Sequence, residues 1–225
     1  SGQEKKTKKV EILNTNFLQM VERFAEKVFK GKVKTDISFF PKKKTQRVIT
    51  AVLSDLHIGS NVSADETGVL TFGKEEEARR LAAICLQIAD YKILHREETE
   101  LNLLFIGDLV QGRLHDPAEA APQAEQFARA VHLLIQAVAY LAANFKKVTV
   151  RCTTGNHGRN TARHKERAVN QRFDSIETMI YVSVKAACSN LKNVEFEIPK
   201  TPYLKYKVLG KSFFANHGDS CLKPG

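Results

Sequence analysis

The chain has 225 residues, of which 43% are hydrophobic and 27% are charged, as in an ordinary soluble globular protein. Its longest nearly apolar stretch, 130–143, is shorter than the ~20 apolar residues that a membrane span needs. Length and composition therefore indicate one domain with an extension, and they argue against a membrane protein. The start of the chain shows no secretory signal and its four cysteines are scattered, so we expect a protein of the cytoplasm.

The first 46 residues predict a basic extension ahead of the folded domain. Residues 1–47 contain 13 Lys and Arg against 5 Asp and Glu, and they carry most of the formal net charge of +10. Apolar residues at helical spacing predict a short amphipathic helix over 17–29. We therefore divide the chain into an extension, 1–46, and a domain, 47–225. The extension is either an electrostatic arm for nucleic acid or a tethering segment.

From residue 47 onwards, strand and helix patterns alternate. Short apolar runs predict strands, and longer stretches with one apolar face predict helices. In chain order the pattern predicts strand 48–53, helix 74–94, strand 101–106, helix 123–143, strand 148–152, helix 175–188 and strands 194–198, 203–209 and 213–215. This alternation predicts an α/β fold with a central, partly parallel sheet.

Four of the predicted strands are followed by residues that bind metals in other proteins. These residues are Asp55 and His57, Asp108, Asn156 and His157, and His217. Strand ends in an α/β sheet meet at one edge, and the spacing of Asp55 and His57 lets both point the same way from an extended strand end. Asp and His bind ions such as Mn²⁺, Zn²⁺ and Fe²⁺, and Asp108 could bridge two of them. Each loop alone is typical of an ordinary turn; four in order favour a site.

The order of these motifs resembles a known family. Asp-x-His, Gly-Asp-x-x-x-Gly, Gly-Asn-His and His-Gly follow one another over roughly residues 47–219, as in the calcineurin-like metallophosphoesterase superfamily. The resemblance implies a hydrolase of phosphate esters. It also implies central mixed β-sheets flanked by helices, in four α/β/β/α layers.

The resemblance further implies two divalent metal ions, Mn²⁺ first, with Zn²⁺, Fe²⁺ or Mg²⁺ as alternatives. By this likeness Asp55 and His57 would hold the first ion, and Asn156 and His217 the second. Asp108 would bridge both ions and be essential for catalysis. His157 would act as general acid or stabilise the transition state. The nucleophile would be a water or hydroxide between the ions.

One element of the family pattern is missing. The pattern closes with Gly-His-x-His, which this sequence does not contain after His217. We therefore expect the domain to be truncated at its C-terminus. A longer natural chain or a partner chain would then supply the missing ligands. The sequence also leaves a homodimer open.

The sequence favours DNA as the substrate. Protein phosphatases of this family carry Asp-Arg-Gly in the second motif, where this chain has Gln111 and Gly112. The Gly-Asn-His-Gly-Arg stretch resembles DNA-repair-type exonucleases and their phage-borne relatives, which implies the cytoplasm of a bacterium or of a phage-infected host. A basic run follows, and its side chains would contact DNA phosphates: Arg159, Arg163, Lys165, Arg167 and Arg172.

Other functions stay open at this point. The basic run is also typical of a solvated surface helix. The site would equally suit a phosphatase or phosphodiesterase acting on small or protein substrates. Because the last ligand motif is absent, a non-catalytic subunit that binds nucleic acid is a third possibility.

Overall fold

The computed structural model describes residues 47–69, 71–94, 100–113, 120–160 and 174–219. Several predictions fall outside these residues and stay predictions. They concern the extension 1–46 with its helix at 17–29, and the side chains of Arg163, Lys165, Arg167 and Arg172.

The described elements alternate as the sequence predicts. In chain order they are β1 (Val48–Leu53), α1 (Ala64–Thr67), α2 (Lys74–Leu94), β2 (Glu100–Ile106), α3 (Gln123–Asn144), β3 (Lys147–Thr153), α4 (Ile176–Ala187), β4 (Val194–Glu197), β5 (Tyr203–Val208) and β6 (Lys211–Asn216). All nine elements predicted from residue 47 onwards are present, with ends shifted by two residues at most. The short helix α1 was not predicted; Ser63 is its N-cap and forms a capping box with Glu66.

Strands β1 to β4 form one sheet in sequential order, and every neighbouring pair is parallel. A helix connects each strand to the next, as parallel pairing requires. Strands β5 and β6 form a separate antiparallel pair. The predicted α/β class is therefore confirmed, whereas the expected mixed central sheet is entirely parallel within the described residues.

The two faces of the parallel sheet pack against different partners. Leu101, Leu103 and Phe105 of β2 share a core with helices α2, α3 and α4. Leu104 points the other way and packs against Leu204 and Tyr206 of the β5–β6 hairpin. Opposite directions follow from the alternation of side chains along a strand. The described residues thus form three layers, with helices, the parallel sheet and the hairpin in that order.

A buried arginine helps to hold the hairpin on the sheet. The Arg151 guanidinium donates to both carboxylate oxygens of Glu197, at 2.7 and 3.0 Å, and to the side-chain oxygen of Asn102. It also stacks over the Tyr206 ring, 4.7 Å from the ring centroid. Because His217 directly follows β6, this docking places His217 relative to the sheet.

Helix α3 is long and apolar enough, by length and composition alone, to cross a membrane. It packs against α2 and α4, and Leu134, Val138 and Leu141 are completely buried in the common core. We therefore assign α3 to the protein core, as its sequence pattern predicts. Cys85, Cys152 and Cys188 are also buried, and they are not joined in disulfides.

Candidate metal centre

The loops after β1 and β2 lie side by side because parallel pairing continues past the strand ends. The backbone N–H of Asp55 donates to the carbonyl of Gly107 at 3.1 Å, and that of His57 donates to the carbonyl of Asp108 at 3.1 Å. These hydrogen bonds bring the first two predicted ligand loops together at the carboxyl edge of the sheet.

Three predicted ligands have left-handed backbone conformations, with φ of 57° at Asp55, 44° at His57 and 52° at Asp108. Such values are uncommon outside glycine and cost on the order of 1–3 kcal/mol each. The prediction that Asp55 and His57 lie on an extended strand end is wrong. Strand β1 ends at Leu53, and both residues follow it in a left-handed conformation. The two side chains nevertheless converge, with Nε2 of His57 3.8 Å from Oδ1 of Asp55.

Asp108 lies at the centre of two groups of candidate ligands. One group is His57, Asp108 and His157, and the other is Asp55, Asp108 and His217; the ligand atoms of each group lie within 4.8 Å of one another. Asp108 is only 3% exposed. Asp108 is common to both groups, whereas Asp55 is grouped with His217 and His57 with His157; the bridging of two ions by Asp108 stays a prediction.

The loop after β3 approaches Asp108 closely. The backbone N–H of His157 donates to Oδ1 of Asp108 at 2.9 Å. A Cβ atom at Gly155 would overlap the Asp108 carboxylate, so only glycine permits this approach. Asn156 lies between Gly155 and His157 in the chain and is partly exposed. The third predicted loop therefore reaches the site.

The three histidines are oriented in the same way. Each donates its Nδ1–H to an oxygen atom: His57 to Oε1 of Gln111 at 3.0 Å, His157 to the Gln111 carbonyl at 2.7 Å and His217 to the Ile106 carbonyl at 2.9 Å. Carbonyl oxygens only accept, so the proton lies on Nδ1. Nε2 is then the nitrogen directed towards the carboxylates, the arrangement usual for histidines that bind metals.

Gln111 orients two of these histidines, one through its side chain and one through its backbone. In the sequence, Gln111 only distinguishes this chain from protein phosphatases. Its position in the Gly-Asp-x-x-x-Gly loop was the available signal for a role at the site.

Electrostatic interactions within the site favour charged Asp108 and His217. Burial alone would raise the pKa of Asp108, but hydrogen bonds from His217 and from the His157 backbone outweigh burial and lower it. The hydrogen bond to Asp108 raises the pKa of His217 to about 9, against the opposing effect of burial. Burial, followed by the neighbouring His157, lowers the pKa of His57 and favours its neutral form.

Buried polar residues on the helices anchor the ligand loops, and none of them was predicted from the sequence. Glu77 of α2 accepts from the Gly59 N–H at 2.7 Å and pairs with Arg129 at 2.5 Å. Gln126 of α3 accepts from the Gly112 N–H at 2.8 Å. Glu177 of α4 contacts two loops, and complete burial raises its pKa to about 7. A polar residue at an apolar helix position would have been the only signal in the sequence.

Arg159 is the one member of the predicted DNA-binding run that the structure describes. It follows the third ligand loop, and its backbone pairs with Ser175. Its Nε atom is buried and has no hydrogen-bond partner among the described residues. Arg159 is thus two residues beyond His157 in the chain, and its contact with DNA stays a prediction.

The donor atoms fit divalent cations of the Mn²⁺, Zn²⁺ and Fe²⁺ type. Two carboxylates and three oriented imidazoles combine oxygen and nitrogen ligands, which these ions prefer. The cluster is therefore a possible metal-binding site. Comparisons with known protein families and with curated proteins found no match to this chain.

Proposed function

We propose that this protein is a metal-dependent phosphoesterase and, within that class, a nuclease that hydrolyses DNA phosphodiester bonds. The observation that carries the proposal is the common orientation of His57, His157 and His217. Each has its Nδ1–H bound to an oxygen outside the cluster, and Nε2 is directed towards the carboxylates. A set of histidines held in this way, around the buried Asp108, is arranged for cations.

The proposed cofactor is a pair of divalent ions, Mn²⁺ first, with Zn²⁺, Fe²⁺ or Mg²⁺ as alternatives. The position of Asp108 in both ligand groups supports two ions rather than one. The residues that would hold them are Asp55, His57, Asp108, Asn156 and His217. When bound, such ions activate water as a nucleophile and stabilise charge on the phosphoryl oxygens.

His157 is the proposed general acid. Its Nδ1–H is bound to the Gln111 carbonyl, and its Nε2 lies 3.9 Å from Oδ2 of Asp108. In the imidazolium form, the Nε2 proton would pass to the leaving oxygen of the phosphate ester. Fixing Nδ1 leaves Nε2 as the nitrogen that can transfer a proton within the site.

Charge supports DNA as the substrate. The chain has a formal net charge of +10, and the run 159–172 continues directly from the third ligand loop. Positive side chains displace counterions from a phosphate backbone, which favours binding of a polyanion.

The test compares three activities of the purified chain with Mn²⁺: binding of the ion, cleavage of single- and double-stranded DNA, and cleavage of an aryl phosphate. We expect two bound ions and DNA cleavage, and both should be reduced by Asp108→Asn. Cleavage of the aryl phosphate without DNA cleavage would overturn the nuclease proposal and favour a phosphatase. DNA binding without any metal uptake would overturn the enzyme and favour a non-catalytic subunit.

A further inference from the structure

The first turn of α4 is attached to the loop that carries Asn156 and His157. Ser175 is the N-cap of α4, and its hydroxyl donates to the Gly158 carbonyl at 2.9 Å. The Ile176 N–H donates to the same carbonyl at 2.9 Å. One turn later, the Tyr181 hydroxyl donates to the Thr153 carbonyl at 2.9 Å. Hydrogen bonds therefore tie the start of α4 to the third ligand loop.

Glu177, in this first turn, connects the third loop to the second. Its Oε1 accepts from the Leu109 N–H at 2.6 Å, and its Oε2 accepts from the Gly155 N–H at 2.7 Å. Leu109 follows Asp108 in the chain, and Gly155 precedes Asn156. A single carboxylate, 0% exposed, thus spans the two loops that hold the proposed bridging ligand and a ligand of the second ion.

The other two anchors differ from Glu177 in what they connect. Glu77 binds the first loop through Gly59 and is neutralised by Arg129. Gln126 is uncharged and binds Gly112 and Ala121. Glu177 has no ion-pair partner among the described residues, and burial of an unpaired carboxylate is unfavourable. Two backbone hydrogen bonds are the interactions that retain it in this position.

We propose that Glu177 is a positioning residue that sets the separation of the Asp108 and Asn156 loops, and thereby the affinity of the ion that these two residues share. This inference rests on the proposed two-ion site, but it does not depend on the substrate. We expect the first ion to depend less on Glu177, because the carboxylate bonds to the loops of Leu109 and Gly155 and, within the described residues, not to the loop of Asp55 and His57.

The test is a Mn²⁺ titration of Glu177→Gln, in which bound ions are counted by electron paramagnetic resonance. An amide keeps the shape of the side chain but offers only one acceptor oxygen, so one loop N–H loses its partner. We expect the affinity for one ion to fall by about 10–100-fold, the usual effect of losing a residue that supports metal ligands. The spectrum of two magnetically coupled ions should then appear only at higher Mn²⁺ concentration.

Two matched variants make the result specific. Glu77→Gln removes the corresponding charge on α2 and should leave the ion shared by Asp108 and Asn156 in place. Glu195→Gln changes an exposed glutamate on β4 and should bind both ions normally. If Glu177→Gln does not fold, as judged by circular dichroism of the metal-free protein, Ser175→Ala replaces it. Ser175→Ala loosens the same turn of α4 and should weaken the same ion by a smaller factor.

The possible outcomes separate this inference from the proposed function. Two ions in the unchanged protein and unaltered binding in Glu177→Gln would overturn the positioning role alone. An equal loss of affinity for both ions in Glu177→Gln would also overturn the positioning role, since the effect would not be confined to the ion that Asp108 and Asn156 share. No Mn²⁺ uptake by the unchanged protein would overturn both proposals.

Discussion

The Nε2 atom of His217 lies 3.0 Å from Oδ2 of Asp108. His217 follows the β5–β6 hairpin, whereas Asp108 follows a strand of the parallel sheet. The contact therefore joins the two sheets at the candidate metal centre. Because the hydrogen bond raises the pKa of His217 to about 9, the metal-free pair carries a proton at neutral pH.

This pair predicts that metal binding depends on pH. A cation must displace the proton from Nε2 of His217, so affinity for Mn²⁺ should rise as the pH increases from about 6.5 towards about 9. At pH 7, calorimetry in buffers of different ionisation enthalpy should detect about one proton released. His217→Gln should bind Mn²⁺ more weakly and lose this proton release; unchanged proton release in that variant would assign it to another group.

The same pair predicts that the stability of the metal-free protein falls as the pH rises. The pKa of His217 is raised in the folded state, so its contribution to stability is fully present below pH 6.5 and is lost as the pH rises through about 9. Urea unfolding of metal-free protein at pH 6.5 and pH 9.5 should show this loss. In His217→Gln, the difference between the two pH values should be smaller.

Gln111 is expected to control metal affinity through His57. Gln111→Ala removes the oxygen that accepts from Nδ1 of His57, and we expect Mn²⁺ affinity to fall by about 10–100-fold. Gln111→Glu retains an acceptor oxygen and should restore most of the binding. Both variants keep the backbone carbonyl that holds His157. An equal loss of Mn²⁺ affinity in Gln111→Ala and Gln111→Glu would contradict the role assigned to the hydrogen bond between Gln111 and His57.

Gly155→Ala tests the close approach of the third loop to Asp108. The added Cβ would overlap the Asp108 carboxylate and the Asp108 backbone, so we expect a loss of about 1–3 kcal/mol of stability together with weaker Mn²⁺ binding. Gly73→Ala is the matched control, because the nearest atom to its Cβ lies 3.8 Å away. Urea unfolding and metal titration of both variants check this prediction. Equal free energies of unfolding for Gly155→Ala and Gly73→Ala would contradict it.

Arg159→Ala tests the path of the nucleic acid. If Arg159 contacts a phosphate, the variant should bind DNA more weakly, and the slope of affinity against salt should decrease by about one unit. Cleavage of an aryl phosphate should not change. Arg79→Ala, which removes an exposed arginine paired with Glu76, is the control. If Arg159→Ala and Arg79→Ala bind DNA equally well, the DNA does not contact Arg159.

Much of the fold could be predicted from the sequence because the relevant patterns are local. Strand β2 has a continuous apolar run and lies between two strands with both faces covered. Helix α3 has an apolar face and is a core helix. The parallel arrangement of all four strands was not predictable in full, because pairing depends on contacts between segments that are distant in the chain.

The sequence by itself determined which residues could bind cations and that they follow strand ends. Only the tertiary structure decided how they are grouped, with Asp108 shared and Asp55 beside His217. It also decided the left-handed backbone at Asp55 and Asp108 and the burial of Glu177 between two loops. The reason is physical: each of these features depends on hydrogen bonds and packing between separate segments, and local residue patterns do not specify such contacts.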